Sequence, residues 1–332
     1  MRLWGGICGS LLVMSSAVAA GQPTLDWLKT VAFAAHQTDY SGVFVYQYDN
    51  RVETSRITHV VETDSEYEKL ESLDGPKREI IRHHDQVWCY TSHKMVQVAS
   101  QERRSRFPSL LPEQLSALGE NYLVKEAGLQ RVAGYDTQVI LFQPKDSLRF
   151  THKIWVHTDT GLLLKAAVLD DKNNIVEQYT FTQLKIGGEL DRSWILSSKA
   201  DVASGKAAAA SGKSVKPHAA INPDSTKASM PVNSGWVVDA MPAGFKKTME
   251  VKRPMSGKHA PVTQLVFSDG LSAISVFIEP VDTDEDDVDG LTSRGEVNLY
   301  RKVVGTHLLT VVGEVPPRTV MQVLDSVRYN GQ

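Results

Sequence analysis

The sequence predicts an α+β protein, mainly antiparallel β, with one wide sheet in a large first domain and a smaller α+β second domain. Three observations predict this. Residues 151–186 read as a three-stranded meander, with Asp159-Thr160-Gly161 and Asp170 to Asn174 as its turns. Asp, Asn and Gly tolerate the positive φ of tight turns. From Tyr40 to Ala99 the apolar residues recur with period two, interrupted only by short polar turns, which is the mark of neighbouring antiparallel strands. Residues 203–232 contain no Phe, Tyr or Trp and repeat Gly, Ser and Pro, a flexible-linker composition. The middle strand of the meander is apolar on both faces: Leu162, Leu164, Ala166 and Val168 on one, Leu163, Ala167 and Leu169 on the other beside Lys165. Such a strand must be covered on both sides. A wide sheet with one face on a core and the other curling round something apolar is a binding architecture.

Taken in order, residues 1–20 read as a secretory signal. Arg2 supplies the positive end, Leu3 to Met14 the apolar core, and Ser15 to Ala20 the small residues for cleavage after Ala19 or Ala20. The alternative, a short membrane anchor, meets an apolar run below the roughly 20 residues a span needs. Cys8 follows Ile7, not the small residue that lipoprotein processing prefers. Thr24 to Gln37 has apolar residues at helical spacing (Leu25, Leu28, Val31, Ala32, Ala35) with Thr24 as a cap. In Tyr40 to Tyr48, Gly42, Phe44, Tyr46 and Tyr48 share a face. Strands over 52–61, 67–73, 77–83, 86–91 and 94–99 follow. Residues 100–127 break the rhythm: a basic run, Arg103, Arg104 and Arg106, then an apolar stripe of Leu110, Leu111, Leu115 and Leu118. This insert is either a lid or a helix packed on the core. Strands resume at 122–126, 130–132 and 137–143. Beyond the linker, strands are expected over 235–241, 248–252, 262–268, 272–278 and 306–312. Pro316 to Val327 closes the chain as a helix, its prolines suited to the first turn.

The chemistry is thin. The chain of 332 residues has 36 Lys+Arg against 39 Asp+Glu, a net charge of −3, which argues against nucleic-acid binding. Loss of Arg2 with the signal makes the mature chain one unit more negative. Cys89 is then the only cysteine and cannot form an internal disulfide; it is a buried structural thiol or a reactive one. His83, His84, Asp85, Cys89 and His93 invite a metal reading, but Cys89 and His93 on one strand lie about 13 Å apart, whereas zinc holds its ligands within about 2.3 Å. Asp282 to Gly290 resembles a calcium loop only in composition: Asp287 stands where the bend needs Gly, and Ser293 where the last ligand should be Glu. No nucleophile elbow, metalloprotease helix or phosphate-binding glycine loop occurs. No catalytic residue, metal or cofactor is expected.

Several blocks resemble the RseB/MucB family of periplasmic regulators of the sigma-E envelope-stress response, and its MucB branch in particular. In the first domain they are Tyr40 to Tyr48, Glu53-Thr54, His59 and Lys69 to Arg82 with its Leu73-Asp74-Gly75-Pro76. In the second they are Met241 to Phe245, Phe267 to Leu271, Ser275 to Pro280 and Val311 to Pro316. The resemblance implies a first domain like LolA and LppX: a half-open β-barrel with a helical lid in its mouth. It implies no catalysis. It implies binding to the periplasmic domain of a transmembrane anti-sigma factor (MucA/RseA-like), hindrance of its first proteolytic cut, release by lipopolysaccharide or another amphiphile, and a homodimer or larger oligomer. A plain lipid or lipoprotein carrier is the rival reading.

The expected division is a signal peptide at 1–20, a lipid-sensing domain at 21–202, a linker at 203–232 and a partner-binding domain at 233–332. Phe44, Tyr46, Trp155 and Leu163 are candidates for an apolar cavity, or plain core. Arg103, Arg104 and Arg106 are candidates for lipid phosphate, or an exposed loop. Phe267 and Phe277 are candidates for the partner surface, or core of the small domain. The sensing part depends on a hollow. An interior filled by the chain's own side chains, with the two modules fused, would leave anti-sigma binding resting on family likeness alone.

Overall fold

The computed structural model describes residues 25–63, 65–83, 86–91, 95–99, 107–112, 115, 118–195, 230–255, 260–281 and 289–331. The expected signal peptide, residues 203–229 of the expected linker, Arg103, Arg104 and Arg106, His84, Asp85, His93 and the acidic segment 282–288 lie outside them.

The first helix, α1 (Leu25–Gln37), leads into β1 (Tyr40–Tyr48), β2 (Arg51–Glu62), β3 (Ser65–Ser72), β4 (Arg78–His83), β5 (Gln86–Thr91) and β6 (Met95–Ala99). A short helix, α2 (Leu118–Asn121), precedes β7 (Tyr122–Val132), β8 (Tyr135–Pro144), β9 (Thr151–His157), β10 (Leu163–Leu169) and β11 (Ile175–Ile186). These strands form one antiparallel sheet of 11 in the order β6-β5-β4-β3-β2-β1-β11-β10-β9-β8-β7. Each pair of neighbours in space is also a pair of neighbours in sequence, except where β1 meets β11 and joins the two meanders. The ends β6 and β7 do not pair, so the sheet stays open, as expected of a half-open barrel. Gly42 sits at the β1–β11 seam beside a bulge at Val43/Phe44. A Cβ there would lie 2.6 Å from the Gln183 carbonyl oxygen, so the close approach requires glycine.

The period-two pattern finds its physical reason in burial. Tyr40, Phe44 and Tyr48 are buried on the inner face, the first two packed in one cluster with Leu28, Val31, Ala32 and Ala35 of α1. Middle strand β10 is covered on both sides, with Leu163, Leu164, Ala166, Ala167 and Val168 all buried. Part of the outer face has its own cluster, in which Trp194 and Ile195 pack on Val60, Tyr67, Ile81 and Trp88.

The second half begins with β12 (Met230–Pro231), so a short strand occupies the end of the expected linker. Strands β13 (Trp236–Val238), β14 (Lys246–Arg253), β15 (Val262–Ser268), β16 (Ala273–Pro280), β17 (Gly290–Arg294), β18 (Val297–Val304) and β19 (His307–Gly313) follow, then α3 (Pro317–Asp325) and β20 (Val327–Tyr329). Seven of them form a sheet in the order β12-β14-β15-β16-β19-β18-β17, while β13 and β20 pair separately. Helix α3 starts with Pro at its first position, where the missing N–H costs nothing. It buries Val320, Val323 and Leu324 against Leu265, Ile274, Val276, Leu309 and Val311. The β17–β18 hairpin is absent from the strands expected from sequence. Every residue of β17 is exposed, so it carries no alternation to read.

Candidate functional site

The inner face of the large sheet holds the chain's own side chains. The Phe107 ring lies 5.3 Å from Phe44, 5.0 Å from Phe181 and 5.4 Å from Tyr179. Leu111, Leu115 and Leu118 are buried in the same cluster. The described part of the insert thus packs on the core, and the expected hollow is filled there. Phe44 and Tyr46 do share this face, with Tyr46 stacked on Tyr179 at 4.4 Å. Leu163 is buried at a bulge opposite Val156. Trp155 is buried too, in the same core cluster. It pairs with Lys165, which pairs with Thr180, which pairs with Val45, and that ladder runs along the face opposite Tyr46. Its ring is sandwiched by the Lys153 and Lys165 ammonium groups at 4.9 and 4.6 Å, and its indole N–H donates to Gln130 Oε1 at 2.7 Å. Phe267 is buried beside Ile274 in the small core. Phe277 is half-buried on the other side of that sheet, between Gln264 and Thr310.

The outer face carries a polar groove of about 380 Å³ lined by Ser41, Arg56, Thr58, Lys69, Lys185 and Trp194, among others. Its cations alternate with Glu71, Glu189 and Asp191. Among the described residues no group of three His, Cys, Asp or Glu is placed to hold a metal. Cys89 pairs with Ile80 across the β4–β5 hairpin. Burial raises its thiol pKa against the pull of Arg78, which favours the protonated form.

Chemistry concentrates where the two sheets meet. At one corner the Ser268–Ser272 turn between β15 and β16 inserts Asp269 into the large sheet's lower edge. Asp269 is 2% exposed. Its Oδ2 accepts from Arg149 Nε at 2.6 Å and from the Tyr122 hydroxyl at 3.0 Å. Its Oδ1 accepts from the Leu271 and Ser272 amides at 3.0 and 2.9 Å. Arg149 also donates to Asp146 and to the Ala243 carbonyl, and its guanidinium lies 5.0 Å from the Phe245 ring. Burial alone would weaken its charge, but Asp269 outweighs burial and holds its pKa above the ordinary value. Thr319 of α3 donates to the Leu148 carbonyl at 2.9 Å. His152 sits nearby, its ring 6.2 Å from Tyr122 and its Nε2 without a hydrogen-bond partner. Burial pushes its pKa down to about 4, although Asp269 opposes this.

At the other corner the tip of the β17–β18 hairpin meets β1 and β11. Arg294 donates to the Tyr48 hydroxyl at 2.8 Å and covers its ring at 4.8 Å; Tyr48 in turn donates to Glu53 at 2.9 Å. The Gly295 amide reaches Asp49 Oδ1 at 3.4 Å, and the Glu296 amide donates to Glu177 Oε2 at 3.2 Å. Gly295 has φ +56°, and a Cβ on it would stand 2.3 Å from Glu177 Oε2. Sequence reasoning gave none of these residues a role in joining the two halves, because their partners across the junction lie about a hundred or more positions away. The Leu-Asp-Gly and Ser-Asp-Gly blocks were the available signal, and only the second, with Asp269, forms part of the junction.

Known proteins match both halves. The family profile for the MucB/RseB N-terminal domain matches residues 23–198, and that for the MucB/RseB C-terminal domain matches residues 230–328. The chain is 30% identical over 329 residues to the sigma factor AlgU regulatory protein MucB of Pseudomonas aeruginosa, covering 97% of this chain and 95% of that protein. It is 22% identical over 328 residues to the sigma-E factor regulatory protein RseB of Escherichia coli K12, covering 97% and 96%. The complex structure of Pseudomonas aeruginosa MucA/MucB superposes with a TM-score of 0.68 at 27% identity, over 92% of this chain and 99% of that one. A crystal structure of MucB alone superposes with a TM-score of 0.58 at 28% identity, over 92% and 97%. With both profiles matched, full-length relatives and the same two-sheet architecture, the chain belongs to the MucB/RseB family of sigma-factor regulatory proteins.

Proposed function

We propose that this protein is a periplasmic, non-enzymatic regulator that binds the periplasmic domain of a membrane-spanning anti-sigma factor and shields it from its first proteolytic cut. The observation that carries the proposal is the full-length likeness to a relative solved as a MucA/MucB complex. The better superposition on that complex than on MucB alone supports the docked arrangement of the two sheets as the partner-holding one. In this reading residues 1–20 direct export, 203–232 link the two domains, and Phe277 contributes to the partner surface. The working unit is a homodimer or larger oligomer.

Release by lipopolysaccharide or another amphiphile is the second half of the proposal. Phe44 and Tyr46 are the candidates for contact with acyl chains, and Arg103, Arg104 and Arg106 for phosphate. Because Phe107 and the leucines of the insert fill the inner face, an acyl chain must displace them. By linkage, the lipid releases the peptide only if it binds the peptide-free conformation more tightly. The test titrates the anti-sigma periplasmic segment against the full chain, with and without lipid A. Saturable binding is expected, weakened by lipid. Absence of binding would remove the regulatory reading, and unchanged affinity at saturating lipid would remove the sensing half alone.

A further inference from the structure

The corner where the hairpin tip meets the large sheet brings together two carboxylates from the two halves of the chain. Glu177 on β11 is 5% exposed. Glu296 is the second residue of the hairpin turn and is half-buried. Among the described residues no Lys or Arg forms an ion pair with either one. Arg294 is turned away onto Tyr48, and Arg51, opposite Tyr48 on β2, is exposed. The remaining ionisable groups facing the pair are acids or phenols. Tyr46, Tyr48 and Asp49 come from β1 and its turn, Glu53 from β2, and Tyr179 from β11. Glu314, beyond β19, already accepts the Ala273 amide at 3.2 Å. Glu177 has only the Glu296 amide and its tyrosine neighbours to stabilise a charge.

We infer that the docking of the β17–β18 hairpin on the large sheet is a proton-dependent clamp, closed when the Glu177–Glu296 pair retains a proton and loosened when both are ionised. Two like charges in a partly desolvated contact disfavour joint ionisation. Burial is the leading cause for both groups, and it holds Glu177 above the ordinary carboxylate value and Glu296 well above it, the latter with help from Glu177 and Glu314. Undocking returns both groups to water and to ordinary values. Docking therefore takes up a proton. It is strongest below the ordinary carboxylate pKa and weakens as pH rises towards the raised docked-state value. Gly295 keeps the contact tight, since its backbone stands where any side chain would strike Glu177. The clamp is distinct from the proposed partner and lipid binding and does not depend on either.

Distance measurement between spin labels tests it. Val52→Cys on β2 and Leu291→Cys on β17, both exposed positions, are labelled in the full chain with Cys8→Ser and Cys89→Ser. One short distance is expected at about pH 5.5 and a second, longer population at about pH 8.5, the open-to-docked ratio rising by up to about tenfold per pH unit for one linked proton. Glu296→Gln, which cannot ionise, should hold the short distance at both pH values. Small-angle scattering of the unlabelled chain gives a second readout free of the labels and of the Cys89 change. Identical distance distributions and scattering at both pH values would overturn the clamp. So would a pH response that persists undiminished in both Glu296→Gln and Glu177→Gln.

Discussion

Arg149 and Asp269 show how much a single pair decides. Both side chains have no exposed surface, so each charge depends on the other and on Tyr122. Asp269→Ala strands a buried guanidinium and should cost about 3–5 kcal/mol of stability, read as a lower urea midpoint with an unchanged slope. Gly295→Ala places a Cβ against Glu177 in a left-handed backbone conformation. It should cost at least about 1 kcal/mol, visible as faster exchange of the hairpin amides. Glu66 supplies a pH dependence of the opposite sign to the clamp. The His36 hydrogen bond at 2.9 Å is the main cause, and His59 adds to it; together they hold the Glu66 carboxyl well below the ordinary range. Its contribution is present above the ordinary carboxylate pKa and fades as pH falls towards the folded value. Glu66→Gln should therefore flatten the acid limb of a stability-versus-pH curve; an unaltered limb would show the pair contributes nothing.

Among the elements, strands with one or two buried faces were legible and the exposed hairpin was not. β1 alternates because one side meets α1 and the insert, and β10 is apolar on both faces apart from Lys165 because both sides are covered. Helix α3 declared itself by its prolines and its Val320, Val323, Leu324 stripe. β17 is exposed throughout, and the one residue of β18 that is fully buried, Asn298, is polar, so burial left no apolar period in their sequence. The insert's leucine stripe was legible as apolar, but not what it would cover. It packs with Phe107 on Phe44, Tyr179 and Phe181. Phe107→Ala opens a cavity there and should cost about 3–5 kcal/mol. If the proposed acyl site lies behind it, the same variant should bind a fluorescent fatty-acid probe more tightly than the parent chain. No gain in probe binding would argue against that location.

Across the whole molecule, the two sheets are joined at both ends of one seam, by a buried ion pair at one end and at the other by the hairpin tip, where Arg294 meets Tyr48 and the Glu296 amide meets Glu177. Calorimetry of the parent chain should show the two halves unfolding together, and Asp269→Ala should separate the transition into two. Two transitions in the parent would mean the seam contributes little. By itself the sequence determined the antiparallel class, the strand order within each meander, the closing helix and the family, because these follow from local periodicity, turn chemistry and contiguous blocks. The tertiary structure alone decided which face Trp155 occupies, what fills the inner face and which residues join the two halves. Those outcomes depend on strand register and on contacts between residues far apart in the chain, and neither leaves a local pattern behind.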